Sequence, residues 1–253
     1  MKLPLIIAHR GASAYAPENT IAAFIKALEM GAGGIELDVQ LSRDGYPVVI
    51  HDERIDRISD GSGWVKDKTL KELQTLDFGS WFSPFYQGET IPTLEQVMEI
   101  LAEWDILLNI ELKNGPVFYP GIEEKVISLV KRFQMEDRVI ISSFNHYSIV
   151  EVKKIAENIK IAPLYMAGLY KPWNYAKELN AAAVHPYVYG LMPEIIKGCK
   201  ENGIDINTFT VDEPEDIKRL AAAGVDGIIT NVPDVALSIV RKNGREIKNE
   251  PGL

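Results

Sequence analysis

The chain has 253 residues, 46% of them hydrophobic and 25% charged, which is long enough and apolar enough for a sizeable globular core. Its net charge of −9 excludes the basic footprint of a nucleic-acid-binding protein, and any anionic substrate must find a local positive site. A single cysteine, Cys199, excludes an internal disulfide and fits a reducing compartment.

The first element is an apolar run, Leu3 to Ala8, too short for a signal peptide. It delivers His9-Arg10-Gly11 into a tight turn, and the glycine lets the backbone pass close to a bound anion. A helix is expected over Asn19 to Met30, with Ile21, Phe24, Ile25 and Leu28 on one face and Gly31 behind. The strand Gly34–Leu41 follows. Its residues i and i+2 face the same way, so Glu36 and Asp38 share a face. A second apolar run, Pro47 to Ile50, ends at His51-Asp52. From Pro47 to Pro92 the chain is polar and turn-rich, and carries Trp64, Phe78, Trp81, Phe82, Phe85 and Tyr86. This reads as an insertion, either a functional lid or a satellite cluster on the flank.

Beyond it, strands are expected at Ile106–Leu112, Val139–Ser143, Lys160–Leu164, Ala182–His185, Ile206–Val211 and Gly227–Thr230. Helical patterns separate them: Ile122–Phe133, Tyr147–Glu157, Glu194–Asn202, Asp212–Ala223 and Val235–Val240. Asp-Glu-Pro-Glu opens the helix at Asp212, with its acids at the positive end of the dipole, and Gly224 stops it. Cys199 falls on the Glu194–Asn202 helix as a small buried hydrophobe. The polar tail from Lys242 to Leu253 reads as frayed.

Short apolar strands alternating with helices imply parallel strands covered on both sides. Eight such units predict an α/β fold, a (β/α)8 TIM barrel, as one domain over 1–253 with a small insertion after the second strand at about 47–92. A doubly wound sheet lacks support, because no Gly-x-Gly-x-x-Gly turn follows the first strand. No apolar stretch approaches the ~20 residues of a membrane span. The expectation is a soluble, cytoplasmic protein, with a homo-oligomer compatible with the sequence.

The strand ends carry the chemistry. In a parallel barrel the C-terminal ends of the strands form the mouth. His9, Arg10, Glu36, Asp38, Glu111 and Lys113 are all aimed at it. Carboxylates crowded on half-buried strands repel, and each unpaired burial costs several kcal/mol. A divalent cation resolves this, with oxygen ligands suiting Mg²⁺ or Ca²⁺. Zinc is disfavoured because no His/Cys ligand spacing is present. The competing reading is a plain ion-pair network with Arg10 and Lys113. A guanidinium fork and an ammonium suit a phosphoryl group. His9 and His51 can act as acid or base near neutrality. Together these groups fit phosphodiester cleavage.

The segments His9-Arg-Gly-Ala-Ser-Ala-Tyr-Ala-Pro-Glu-Asn-Thr20, Gly34-Ile-Glu-Leu-Asp-Val39 and Val49-Ile-His-Asp52 resemble the glycerophosphodiester phosphodiesterase family. Ile91-Pro-Thr-Leu-Glu95, Asn109-Ile-Glu-Leu-Lys113, Ser143-Phe144 and Gly227-Ile-Ile-Thr-Asn231 are similar to it as well, so the likeness runs from Ile6 to about Pro233. It implies a TIM barrel that hydrolyses glycerophosphodiesters, small-molecule substrates, to glycerol 3-phosphate and an alcohol with a metal ion. Carried over, His9 and His51 are the acid/base pair, Glu36, Asp38 and Glu111 the metal ligands, and Arg10 and Lys113 the phosphate contacts. One departure stands out. Where the family typically has Trp-Thr-Val-Asn, this chain has Phe209-Thr210-Val211-Asp212, which keeps the ring without the indole N–H.

Phe209 and His185, at late strand ends, are candidate substrate contacts; a hydrogen-bonded structural role is the other reading of His185. His146 reads as a cap or surface residue. Tyr170, Trp173 and Tyr175 read as loop packing, or as an aromatic lining for a cationic alcohol. Two rival functions remain at this stage: a lysophospholipase D-type enzyme acting on longer lipids, and a silent phosphodiester-binding protein.

Overall fold

In a computed structural model that describes residues 3–249, eight parallel strands close into a barrel. They are β1 (Leu5–His9), β2 (Gly34–Leu41), β4 (Leu107–Leu112), β5 (Val139–Ser143), β6 (Lys160–Tyr165), β7 (Ala183–Pro186), β8 (Asp205–Thr208) and β9 (Gly227–Thr230). β1 closes the ring by pairing with both β2 and β9. A ninth strand, β3 (Pro47–Val49), runs antiparallel on the far end of β2, with Val39 opposite Val49. β2 is long enough for both tasks: Gly34 to Val39 pair with β4, and Val39 to Leu41 with β3.

The expected (β/α)8 barrel is therefore the observed fold. The strands are apolar on alternate positions because helices cover the outside. Ile35, Leu37 and Val39 join Leu108, Ile110 and Leu112 in the main core. The intervening positions, Glu36, Asp38, Asn109, Glu111, His185 and Asn207, are buried and polar. A small apolar cluster of Ile140, Ala162 and Ala183 packs separately from the main core.

Helices α1 (Ile21–Glu29), α4 (Ile122–Arg132), α5 (His146–Ile155), α7 (Pro193–Glu201) and α8 (Pro214–Ala223) fall where periodicity predicts them, within a few residues. Three helices were not anticipated, the four-residue α2 (Leu70–Leu73) among them. α3 (Leu94–Leu101) starts at a capping box in which Thr93 and Gln96 satisfy each other's backbone. α6 (Pro172–Glu178) is short and begins with proline. The expected strand Ile206–Val211 is shorter: β8 ends at Thr208, and Phe209 makes only an isolated bridge to Tyr187. α8 is capped at Glu213, which releases Asp212 from the helix. α9 (Pro233–Asn249) continues well past Val240 and through the first part of the polar tail, while residues 250–253 lie outside the described residues.

Between β3 and α3 the chain builds a cluster of its own, using Val48, Ile50, Ile55, Ile58, Val65, Leu73, Phe78 and Ile91. A four-residue helix, α2 (Leu70–Leu73), carries a second capping box. Asp77 staples this segment by accepting from the Gly79, Ser80 and Gly88 amides. Of its aromatics, Phe78 is buried and Phe85 is fully displayed. The Tyr86 hydroxyl donates to the Tyr15 carbonyl, fastening the cluster to the β1–α1 loop.

Candidate active site

Glu36, Asp38 and Glu111 converge, with one oxygen of each within 4.8 Å of the others. All three are buried. The adjacency follows from register: β2 and β4 pair with Glu36 opposite Asn109 and Asp38 opposite Glu111. Burial, then repulsion from Asp38 and Glu111, pushes the Glu36 carboxyl well above its usual range. Burial and Asp38 likewise raise Glu111, although Lys113 opposes them. Burial works against Asp38 too, but the Arg10 guanidinium, with His51, Lys113 and the Asn19 amide, holds it down at about 2.

The cations sit among these acids. Arg10 Nε lies 3.3 Å from Asp38 Oδ2, and Lys113 Nζ donates to Glu111 Oε1 at 2.9 Å. Two cations leave three acids one charge short of balance, and Asp38 Oδ1 is buried with no hydrogen-bond partner among the described residues. An oxygen-only donor set with a residual negative charge and an orphaned oxygen fits a hard divalent cation.

Arg10 adopts a left-handed backbone (φ 55), which turns its amide onto Glu36 Oε2 at 2.9 Å. Gly11 follows at φ 82, and a Cβ there would meet Ala23 of α1 at 2.6 Å, so the glycine admits the helix. Helix α1 is thereby seated directly behind the mouth.

Two residues of the Pro17-Glu18-Asn19-Thr20 segment belong to the site without having been singled out. Asn19 donates to Asp38 Oδ2 at 2.8 Å and accepts from the Asp38 amide. Glu18 accepts from Arg10 at 2.9 Å and from both terminal nitrogens of Arg57. Thr20 caps α1, which is why the chain turns here.

His9 and His51 are held by different partners. His9 Nδ1 lies 2.7 Å from Asn231 Oδ1, and its Nε2 is 4.0 Å from Glu36. Burial, followed by the neighbouring Arg10 charge, lowers His9 to about 4, so its imidazole is neutral at physiological pH. His51 Nδ1 lies 2.6 Å from Asp52 Oδ1, and Arg57 Nε grips the other oxygen of Asp52 at 2.7 Å. Beneath this loop, the buried Gln40 amide reaches the carbonyls of Ile50, His51 and Asp52, while Tyr119 donates to Gln40 Oε1 at 2.7 Å. Sequence separation hid both supports.

The later candidates divide. Phe209 joins an aromatic wall, edge-on to Phe144 with ring centroids 5.9 Å apart and tilted against Tyr187. His185 is completely enclosed, with Nε2 on the Asn207 amide at 3.0 Å. His146 is no surface cap: Asn145 caps α5, while His146 bonds the Tyr175 hydroxyl and the Leu164 carbonyl. Trp173 packs on the main core, so close to Gly198 that a Cβ there would meet its ring at 2.1 Å. Cys199 is buried in α7. No helix among the described residues is long and apolar enough to cross a membrane.

This geometry has relatives. The model of the glycerophosphoryl diester phosphodiesterase family matches residues 9–235. A glycerophosphodiester phosphodiesterase of Caldanaerobacter subterraneus subsp. tengcongensis is 53% identical over 240 residues, covering 95% of this chain and 99% of that protein. An Oleispira antarctica phosphodiesterase, solved with the product sn-glycerol-3-phosphate, superposes with a TM-score of 0.88 at 32% identity, over 94% of this chain and 97% of the other. A Silicibacter pomeroyi structure described as a glycerophosphoryl diester phosphodiesterase gives a TM-score of 0.89 at 26% identity, over 96% and 94%.

Proposed function

The chain belongs to the glycerophosphoryl diester phosphodiesterase family and is a phosphodiesterase of that kind, and from the mouth of its barrel we propose that it runs the reaction with a divalent cation and two histidines. The reaction is hydrolysis of a glycerophosphodiester to glycerol 3-phosphate and an alcohol. The observation that carries the reading is the gathering of three buried carboxylates, two cations and two imidazoles around one small volume.

Glu36, Asp38 and Glu111 hold the cation, Mg²⁺ or Ca²⁺, which when bound neutralises the phosphodiester and favours charge building on its oxygens. Arg10 and Lys113 contact the phosphoryl oxygens, Arg10 through its planar fork and Lys113 as a point charge. Asn19 and Glu18 hold Asp38 and Arg10 in place before substrate arrives. One histidine takes the proton of the attacking hydroxyl as its oxygen bonds to phosphorus. The other gives a proton to the alkoxide as its bond to phosphorus breaks. The nucleophile is water or the neighbouring glycerol hydroxyl, the second giving a cyclic phosphate that water then opens. Phe209, in the aromatic wall, bounds the organic part of the substrate. The lone buried cysteine accords with a cytoplasmic enzyme.

A coupled assay for glycerol 3-phosphate tests this over a panel of glycerophosphodiesters, after chelation and after Mg²⁺ or Ca²⁺ is restored. Release that depends on the metal is expected. Release undiminished by exhaustive chelation removes the cation from the proposal. His9→Ala and His51→Ala should each lose about 10²–10⁴-fold in kcat with the fold intact. Near-wild-type turnover in either removes that residue from proton transfer.

A further inference from the structure

We infer that Asp212 and Asn231 are positioning residues that lock His9 in one tautomer, with hydrogen on Nδ1, so that Nε2 is the proton acceptor of the reaction. The inference rests on the proposed role of His9 in proton transfer. It goes further by assigning the direction of that transfer and the residues that set it.

The argument is one of donors and acceptors. A carboxylate only accepts. Asp212 Oδ1 takes hydrogen bonds from the Asn231 amide at 2.8 Å and from Thr230 Oγ1 at 2.9 Å. Asp212 Oδ2 takes one from the Asn231 side chain at 2.5 Å. The end of the Asn231 carboxamide facing Asp212 must therefore be its NH₂. The opposite end, facing His9, must be the oxygen. Ser13 Oγ lies 2.7 Å from that oxygen and 2.8 Å from the His9 carbonyl and has one hydrogen to share between them, so the orientation is set by Asp212. A carbonyl oxygen 2.7 Å from His9 Nδ1 requires a hydrogen on that nitrogen. In a neutral imidazole the other nitrogen is then bare. His9 Nε2 points toward Glu36 and the acidic cluster, not toward Asn231.

His51 Nδ1 faces the Asp52 carboxylate, an acceptor that likewise keeps a hydrogen on Nδ1. With His9 as the base, the proton given to the leaving alkoxide falls to His51.

Replacing the Asp212 carboxylate by a carboxamide supplies the test. A carboxamide at 212 accepts at only one end, and Asn231 brings two N–H donors to it. The Asn231 backbone cannot turn but its side chain can. In Asp212→Asn the side chain therefore swings its NH₂ onto His9 Nδ1, and the hydrogen on His9 moves to Nε2.

The experiment reads imidazole ¹⁵N shifts at neutral pH, with the His9 signals among the four histidines identified by their loss in His9→Gln. In the wild type, the Nδ1–H pattern is expected. Asp212→Asn should shift it toward Nε2–H and lower kcat on the order of 10²-fold, with KM within about threefold. Asn231→Leu, which offers no acceptor, should give a mixture of tautomers and an intermediate loss. Unchanged circular dichroism and melting establish that each variant is folded, and the wild-type spectrum is diagnostic without any variant. An Nε2–H pattern in the wild type overturns the inference. So does an unchanged tautomer in both variants, or a switched tautomer with unchanged kcat. If the wild type releases no glycerol 3-phosphate, the functional proposal falls on its own, separately from the tautomer result.

Discussion

Arg57 grips Glu18 with both terminal guanidinium nitrogens, at 2.9 and 2.7 Å, and the same side chain holds Asp52 through Nε at 2.7 Å. Glu18 in turn holds Arg10, and Asp52 holds His51. One residue of the segment between β3 and α3 thus ties Arg10 to the second imidazole. The pairs are partly exposed, so their direct worth to stability is small. Arg57→Ala should lower kcat/KM by about 10-fold through looser placement of Arg10 and His51. It should change urea-unfolding stability by no more than about 1 kcal/mol. Arg57→Lys, lacking the planar fork, should recover only part of the loss. Unchanged kcat/KM in the alanine variant would separate this segment from catalysis.

Metal binding makes a prediction that needs no substrate. The acids at Glu36, Asp38 and Glu111 repel in the metal-free protein, so a cation that binds only the folded state must stabilise it. At a hundredfold excess over Kd the gain is about 2.7 kcal/mol. Melting after chelation should rise on adding Mg²⁺ or Ca²⁺, and Asp38→Asn should abolish the rise. A melting temperature indifferent to either ion would leave the cluster as an ion-pair network with Arg10 and Lys113.

The floor under His51 predicts coupling of stability with rate. Tyr119 is the donor to Gln40 Oε1, and Gln40 is fully buried among the carbonyls of Ile50, His51 and Asp52. Tyr119→Phe leaves that oxygen without its donor, a loss of about 1–3 kcal/mol for a buried polar atom. It should also lower kcat more than KM, because the loop bearing His51 loses its fixed seat. Equilibrium unfolding and steady-state kinetics measure the two. A stability loss with no kinetic change would make Tyr119 purely structural.

The difference between Tyr119 and Glu111 explains what the sequence could disclose. Glu36, Asp38, Glu111 and Lys113 are legible because strand geometry alone puts i and i+2 on one face, and an apolar run ending in charge marks the mouth. His9 and His51 are legible for the same reason. The residues that hold them are not, because their partners are distant in the chain: Asn231 meets His9 across 222 positions and Tyr119 meets Gln40 across 79. Asp212 was legible as an opening acid of α8 and as the end of Phe209-Thr-Val-Asp212 but not as a partner of Asn231, because an acid at a helix start reads the same whether it caps the helix or bonds a neighbouring strand end. Asn19 lay inside a motif already noticed, yet its side chain could not be assigned until β2 was laid beside it. The barrel was legible through its eight apolar strand runs, six of them followed by a helical pattern. The missed helices α3 and α6 are short and begin beside prolines that read as loop, and α2 is a single turn inside the insertion.

His185 carries a prediction about pH. It is completely enclosed, and burial alone lowers it from the ordinary 6.5 to about 3. Its imidazole is therefore neutral in the folded protein and takes up a proton on unfolding wherever the pH lies between those values. The unfolded state then binds more protons, so the stability contributed by the neutral ring is fully present above about 6.5. It is lost as pH falls through the window toward 3, by up to about 1.4 kcal/mol per pH unit. His185→Asn keeps a polar group beside Asn207 and removes the titration. Groups that titrate elsewhere contribute to both proteins, and the side chain bonded to His185 is the non-titrating Asn207, so the difference between wild type and variant reads the imidazole. Urea unfolding of both proteins at pH 7.5, 6 and 5 should give curves that converge as pH falls, the variant losing stability more slowly. Parallel pH profiles would mean that His185 is already neutral in the unfolded chain, or that the barrel interior accepts its charge.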